Sequence, residues 1–226
     1  MGSGAKSHLL RQTNEFENKM LKKYGGAFHL PQSPGATSDD KIMRSVDGLV
    51  AADEVVFTEK MDGENSTIHN QGCQPRSLDA RYHPSRDWMK AFAAGISPQL
   101  AENERIVGEH LFARHSIVYR ALPSCFLGFV WIKQEEVQAW DATLFRFAEL
   151  GIAPVPELHR GPFSDQVVST VLSNLDLDRQ EGFVVRDMAA FSEQDMPTRL
   201  AKYVREDHVQ SDTHWMNAEL IKNELA

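Results

Sequence analysis

The chain has 226 residues, of which 42% are hydrophobic and 25% charged, so neither a disordered nor a fibrous protein is indicated. No apolar run approaches the ~20 residues that span a bilayer, no apolar N-terminal stretch resembles a signal peptide, and the two cysteines, Cys73 and Cys125, are too few for a disulfide scaffold or a Cys-rich zinc module. The net charge of −8 excludes a uniformly basic nucleic-acid coat but leaves room for a local basic groove, because phosphates respond to nearby charges. A reducing cytoplasm is the expected location.

In chain order, a helix is predicted over 14–24, with Asn14 as N-cap and Gly25-Gly26 as its stop. Residues 30–40 (LPQSPGATSDD) read as a long loop or arm. Strand character follows at 54–60, 66–69 and 105–112, with a helix from Ser85 to Ala94 that Gly95 ends. The near-continuous apolar run 125–132 suits a strand buried on both faces. A helix is predicted over 135–150, with Val137, Trp140, Leu144 and Phe147 at helical spacing and Gly151 as stop. Another covers 164–175 with a Ser N-cap, strands return at 181–186 and 200–205, and a helix closes 213–225. Regular βαβ alternation is missing, so the expected fold is α+β, with mainly antiparallel sheets and flanking helices. One domain is expected over 1–226, with a helix and loop in 1–40, a C-terminal helix in 213–226 and no separate C-terminal nucleic-acid-binding domain.

The most informative segment is Glu59-Lys60-Met61-Asp62-Gly63-Glu64-Asn65. A strand ending in Lys60, followed by an Asp-Gly turn, places an amine at a sheet rim. Such an amine is nucleophilic only when deprotonated. By itself the tetrapeptide also suits an ordinary surface hairpin. Further strands carry Gly108-Glu109, Phe126-Leu127-Gly128-Phe129, Glu181-Gly182-Phe183-Val184-Val185-Arg186 and Lys202-Tyr203-Val204-Arg205. Read plainly, Glu181 and Lys202 make an inter-strand salt bridge, Glu109 is a solvated strand end, and Phe126 and Phe129 are core.

The order of HLPQSPGATSDD, EKMDGEN, GEHLFARHSIVY, FLGF, EGFVVR and AKYVREDH resembles the covalent nucleotidyltransferases: ATP-dependent DNA and RNA ligases and mRNA capping enzymes. The nearer likeness is to nick-sealing RNA ligases of the second phage type, and it covers about 29–208. The resemblance implies a nucleotidyltransferase (ATP-grasp-like ligase adenylation) fold. It implies Lys60 as the nucleophile that becomes lysyl-AMP. Glu59 would lie beside the adenine, Asp62 and Asn65 near the bound nucleotide, Glu109 on the ribose hydroxyls, and Phe129 stacked on the purine. Glu181 would hold a divalent metal, magnesium or manganese, and Lys202 would contact the α-phosphate with Arg205 in support. A metal and Lys202 would then depress the pKa of Lys60. The family's early arginine falls at Arg81, with Arg76 and Arg86 competing. The implied activity is ATP-dependent sealing of RNA 5′-phosphate and 3′-hydroxyl ends in RNA repair, alongside an end-healing kinase-phosphatase.

Two departures accompany the likeness. Val130 stands where relatives often carry an acidic residue after the stacking aromatic, and the sequence ends soon after the Lys202 motif. A minimal DNA ligase, a capping guanylyltransferase using GTP, and a non-catalytic nucleotide-binding subunit are the alternatives. Among other constellations, His110 and His115 do not have the spacing of two metal ligands on one helix face. His208 and His214 read as solvent-facing. Arg114, His115 and Arg120 around Tyr119 mix basic and aromatic groups, either a strand-binding surface or a charged rim. No Walker-type loop, GxGxxG or nucleophile elbow is present.

Overall fold

A computed structural model describes residues 22–77, 82–206 and 220–226. Its elements begin β1 (Phe28–His29), α1 (Asp47–Val50), β2 (Val55–Glu59), β3 (Glu64–His69), β4 (Gly72–Pro75) and α2 (Ser85–Ile96). They continue β5 (Glu104–His110), β6 (Phe126–Lys133), β7 (Glu136–Val137), α3 (Trp140–Leu150), β8 (Ala153–Pro154), β9 (Glu157–Gly161) and α4 (Asp165–Asn174). The last are β10 (Gly182–Asp187), β11 (Phe191–Ser192), α5 (Met196–Arg199) and β12 (Leu200–Val204).

The strands form two sheets. A five-stranded sheet has the order β1-β12-β10-β2-β9, and a seven-stranded sheet has the order β11-β7-β6-β5-β3-β4 with β8 beside β6. Pairing is antiparallel except at β1–β12 and β6–β8. The α+β expectation holds.

Alternation along the strands sorts the core into layers. Val55, Phe57, Phe183, Val185 and Ala201 point outward from the first sheet, onto Leu49 of α1 and Val168 and Val171 of α4. Ile68, Ile106 and Phe126 point outward from the second, onto Met89 and Ala93 of α2 and Phe147 of α3. The opposite faces meet each other: Val107, Val130 and Ile132 pack with Leu200, while Val56 packs with Leu127 and Leu111. The two sheets are therefore sandwiched between helices, and the site lies where their apolar contact gives way to charge.

Several local expectations are met. Ser164 caps α4 by accepting from the N–H of Val167, and Gly151 ends α3 at φ 67°. Residues 30–40 form a loop, and 126–133 a strand. Others need correction. Residues 22–24 are not helical, and residues 14–21 lie outside the described residues. Ser85 lies inside α2, bonded through Oγ to His83 Nδ1 at 2.7 Å, and the helix runs through Gly95 to Ile96. The helix expected over 135–150 starts only at Trp140, because Glu136–Val137 forms β7 against β6. Residues 220–226 are extended, bridging Ala113 to Lys222 and Leu122 to Leu225, where a helix was expected; 213–219 lie outside the described residues.

Candidate active site

Lys60 follows β2 directly, and its N–H donates to the carbonyl of Gly182 at 3.0 Å. That bond ties the end of β2 to the start of β10. Gly182 has φ 153°, and a Cβ there would fall 2.0 Å from the carbonyl oxygen of Tyr203. Only glycine fits, so the Glu181-Gly182 corner can press against β12. The corner is held again where Arg205 N–H donates to the Glu181 carbonyl at 3.0 Å.

Across this junction Lys60 Nζ lies 2.5 Å from Glu181 Oε1. The carboxylate is only 2% exposed, while the lysine side chain keeps 23% of its surface open. Burial lowers the Lys60 pKa, but Glu181, Glu109 and Asp62 raise it more strongly, and the net shift is upward. The protein's own groups therefore raise this pKa, and they do not test the expected depression, which is assigned to a bound metal together with Lys202. Glu181, Glu109 and Asp62 together outweigh the desolvation of the ammonium.

The second sheet supplies the opposite wall. In register, Asn65 on β3 sits beside Glu109 on β5, which sits beside Leu127 on β6, so all three share the face toward the first sheet. Burial, together with the negative charges of Glu181 and Asp62, raises the Glu109 carboxyl to about 8, against the opposing pull of Lys60 and a hydrogen bond from the Gly63 N–H. Asn65 Oδ1 is buried without a hydrogen-bond partner.

Phe129 owes its place to an irregularity. Val107 pairs with Val130 and Gly108 with Gly128, so Phe129 is the extra residue of a β-bulge. It is half-buried, 5.8 Å from the Tyr24 ring. Phe126, by contrast, is fully buried on the outer face. Val130 is 2% exposed among Val107, Ile132 and Val137, so the family's acidic residue would enter apolar surroundings at this position.

Lys202 on β12 lies 3.5 Å from Asp40 Oδ1. Desolvation and the positive charge of Lys60 lower its pKa. The plainer reading of a Glu181–Lys202 bridge does not hold: the close partner of Glu181 is Lys60, and that of Lys202 is Asp40.

Other anticipated residues serve neighbouring contacts. Asp62 Oδ2 accepts from Ser116 N (2.8 Å), Ser116 Oγ (2.7 Å) and Ile117 N (2.8 Å), fastening loop 112–119 to the Lys60 turn. Its own N–H donates to the Tyr119 hydroxyl at 2.9 Å. Glu59 accepts from Gln180 Nε2 at 2.8 Å, and burial raises its pKa. Arg86 Nε donates to both oxygens of Glu64, at 3.1 and 3.0 Å. Arg76 lies against Gly26. Arg81, His208 and His214 lie outside the described residues. His110 stacks with Trp88 (5.9 Å) and Phe112 (6.4 Å), consistent with a structural part. Sequence reasoning missed Asp40 and His29, which sit in and beside a loop whose composition signals only turns.

Among the described residues no group of three or more His, Cys, Asp or Glu side chains is gathered to hold a metal. A buried carboxylate such as Glu181 still fits a hard cation that takes its remaining ligands from phosphate and water, the usual mode of magnesium.

Two largely antiparallel sheets thus frame a close lysine–glutamate pair. Residues 53–204 match the RNA ligase family, and the chain belongs to it. No curated protein matches the sequence. An archaeal ATP-dependent RNA ligase superposes at TM-score 0.53 with 16% identity, over 72% of this chain and 45% of that one. A putative ATP-dependent DNA ligase from Aquifex aeolicus gives 0.50 and 16%, over 76% and 50%. A Naegleria gruberi RNA ligase with PPi gives 0.50 and 15%, over 81% and 60%. The likeness at these identities is one of fold. The chain spans about half the length of the archaeal and Aquifex proteins.

Proposed function

We propose that this protein is an ATP-dependent RNA ligase that works through a lysyl-AMP intermediate on Lys60. The observation that carries the reading is the Lys60–Glu181 pair at 2.5 Å, placed between the sheets with Glu109 opposite and Lys202 near. The Gly182 hydrogen bond fixes the Lys60 backbone and Glu181 holds its amine, and a nucleophile held in position gains much of its advantage from orientation.

In the first step the Lys60 ammonium loses a proton, and its lone pair forms a P–N bond to the α-phosphorus of ATP. The P–O bond to the β-phosphate breaks, and pyrophosphate leaves. In the second step an oxygen of an RNA 5′-phosphate forms a P–O bond to the same phosphorus. The P–N bond breaks and Lys60 recovers a proton. In the third, a 3′-hydroxyl gives up its proton, bonds to the 5′-phosphorus, and AMP departs.

Phe129 offers a face to the purine, with Glu59 at its edge. Glu109 accepts from the ribose hydroxyls. Asn65 lies toward the phosphates, and Asp62 orders the turn after the nucleophile. Lys202, with Arg205 behind it, meets charge developing on the α-phosphate, and a preorganised cation in a dry site is effective there. Glu181 and the phosphate oxygens would hold Mg2+ or Mn2+, which when bound supplies charge neutralisation on the phosphates. Arg81 is proposed for ribose or RNA phosphate. RNA repair in the cytoplasm, after an end-healing kinase-phosphatase, completes the reading. The free thiols of Cys73 and Cys125 suit that compartment.

The test is intact-mass spectrometry after incubation with ATP, and separately GTP, in Mg2+ or Mn2+. A mass increase of one AMP is expected with ATP, acid-labile and missing in Lys60→Ala. An unlabelled wild type, or a labelled Lys60→Ala, would sink the reading. A guanylate adduct would indicate a capping-type enzyme instead.

A further inference from the structure

We infer that Asp40 is a positioning residue that acts through Lys202, holding this lysine toward the reacting phosphate and away from Glu181. The inference rests on the reading of Lys202 as the α-phosphate contact.

The arm 30–41 leaves β1 and is stitched along β12. Leu30 N–H donates to the Lys202 carbonyl at 2.8 Å, and Gly35 N–H to the Val204 carbonyl at 3.0 Å. Val204 N–H in turn donates to Ser33 Oγ at 2.9 Å. The arm closes on itself, with His29 N–H donating to the Lys41 carbonyl at 2.8 Å and Met43 N–H to the His29 carbonyl at 2.7 Å. The backbone carrying Asp40 is thereby fixed relative to the strand carrying Lys202.

The side chain is fixed as well. Asp40 Oδ2 accepts from Thr37 N at 3.0 Å and Thr37 Oγ1 at 2.9 Å. Oδ1 faces His29 Nε2 at 3.3 Å and Lys202 Nζ at 3.5 Å. His29 is fully buried, and its Nδ1 meets Ser33 Oγ at 2.8 Å. The ring thus stands between the Ser33 hydroxyl, which also reaches the Val204 carbonyl at 3.4 Å, and the Asp40 carboxylate.

This arrangement answers a problem of the cleft. The positive charge of Lys60 is felt at Lys202, and Glu181 attracts both. A lysine on a flexible stem would compete with Lys60 for the buried carboxylate. Asp40 gives it a second carboxylate on its own side. At 3.5 Å the contact orients without engaging Lys202 as closely as Glu181 engages Lys60, so a phosphate oxygen can take the ammonium over.

The experiment measures single-turnover lysyl-AMP formation against ATP concentration in the full chain, for wild type, Asp40→Asn, Lys202→Ala and the double variant. Asp40→Asn keeps the shape and removes the charge. It is expected to slow the maximal rate at least about 10-fold while the half-saturating ATP concentration moves less than about 3-fold. In the Lys202→Ala background it should have no further effect, since a residue acting through another contributes nothing once that other is gone. Equal slowing in both backgrounds, or wild-type rates in Asp40→Asn, overturns the inference while leaving the ligase reading intact. An unlabelled wild type overturns the ligase reading, and the inference falls with it. Should Asp40→Asn not fold, Thr37→Val replaces it, releasing one of the carboxylate's anchors without touching its charge. A smaller slowing that again vanishes with Lys202→Ala is then expected, and one that persists counts against the inference.

Discussion

Lys60 keeps its proton through its neighbours. Glu181, Glu109 and Asp62 outweigh the burial of the amine and hold its pKa above the ordinary lysine value. The motif around Lys60 was legible because Lys-x-Asp-Gly after a strand is a local pattern, but the sign of its pKa shift depends on charges that two distant segments, carrying Glu109 and Glu181, bring to it. Phe129 was legible as an aromatic in an apolar run, though not as a bulge residue, which needs the register of two strands. If it carries the purine, Phe129→Ala raises the half-saturating ATP concentration by roughly 5- to 150-fold, since base–aromatic stacking is worth about 1–3 kcal/mol. High ATP then partly restores adenylation, and does not in Glu181→Ala. Unchanged ATP dependence would make Phe129 a core residue. His29 gives a second expectation. Burial and the charge of Lys202 lower its pKa to about 4, against the pull of Asp40. An unfolded histidine titrates near 6.5. Between these values the unfolded chain binds a proton that the folded one refuses. Stability therefore falls as pH drops from about 6.5 toward 4, by no more than about 3.5 kcal/mol, and this contribution is flat outside the window. Urea denaturation across that range should show a steeper pH dependence for wild type than for His29→Gln. Equal slopes would remove His29 from the balance.

Elements with a local terminator were the readable ones. Ser164 and Gly151 fixed the ends of α4 and α3 as the residue types require. Where only spacing spoke, tertiary pairing overrode it: Val137 has helical spacing with Trp140, Leu144 and Phe147, yet it pairs with Ile132 across the β6–β7 turn. Residues 220–226 are governed by backbone bonds to loop 111–122, such as Arg114 N–H to the Ile221 carbonyl at 2.8 Å, and nothing in their own pattern announces them. The β10–β12 pairing shows what one residue type can decide. A Cβ at position 182 would lie 2.0 Å from the Tyr203 carbonyl oxygen, in a backbone conformation that L-residues avoid. Gly182→Ala is expected to cost about 2 kcal/mol or more in urea denaturation. Because Lys60 N–H bonds to the Gly182 carbonyl, adenylation should slow even where the variant remains folded. Wild-type stability in this variant would mean that β12 can move aside without consequence.

At the scale of the whole molecule, charge is distributed against the demands of a nucleic-acid enzyme. With 24 Lys and Arg against 32 Asp and Glu, long-range attraction of RNA is unfavourable, and the proposed RNA binding would rest on local basic groups. One such set flanks the site. Asp62 fastens loop 112–119 beside Lys60, and this loop carries Arg114 and His115 and leads into Arg120. The bridge between Ala113 and Lys222 brings a further cation alongside, with Lys222 Nζ 4.9 Å from the centre of the Phe112 ring. On the proposed mechanism, lysyl-AMP formation needs only ATP in a cleft whose charges are largely withdrawn from solvent, where salt screens weakly. Sealing needs RNA phosphates on exposed cations, so its affinity falls steeply with salt, each neutralised phosphate adding nearly one to the log–log slope. Adenylation should therefore vary little between about 50 and 200 mM salt, while sealing of a nicked duplex drops by at least about 10-fold. The variant Arg114→Glu with Lys222→Glu should leave the ATP reaction near wild type, weaken sealing, and reduce its salt slope. A single-turnover assay with labelled 5′-phosphate RNA separates the steps, because weakly held ends release 5′-adenylated RNA before the 3′-hydroxyl attacks. Sealing that is unaffected by salt, or by reversing these two charges, would show that the RNA is held by other parts of the molecule.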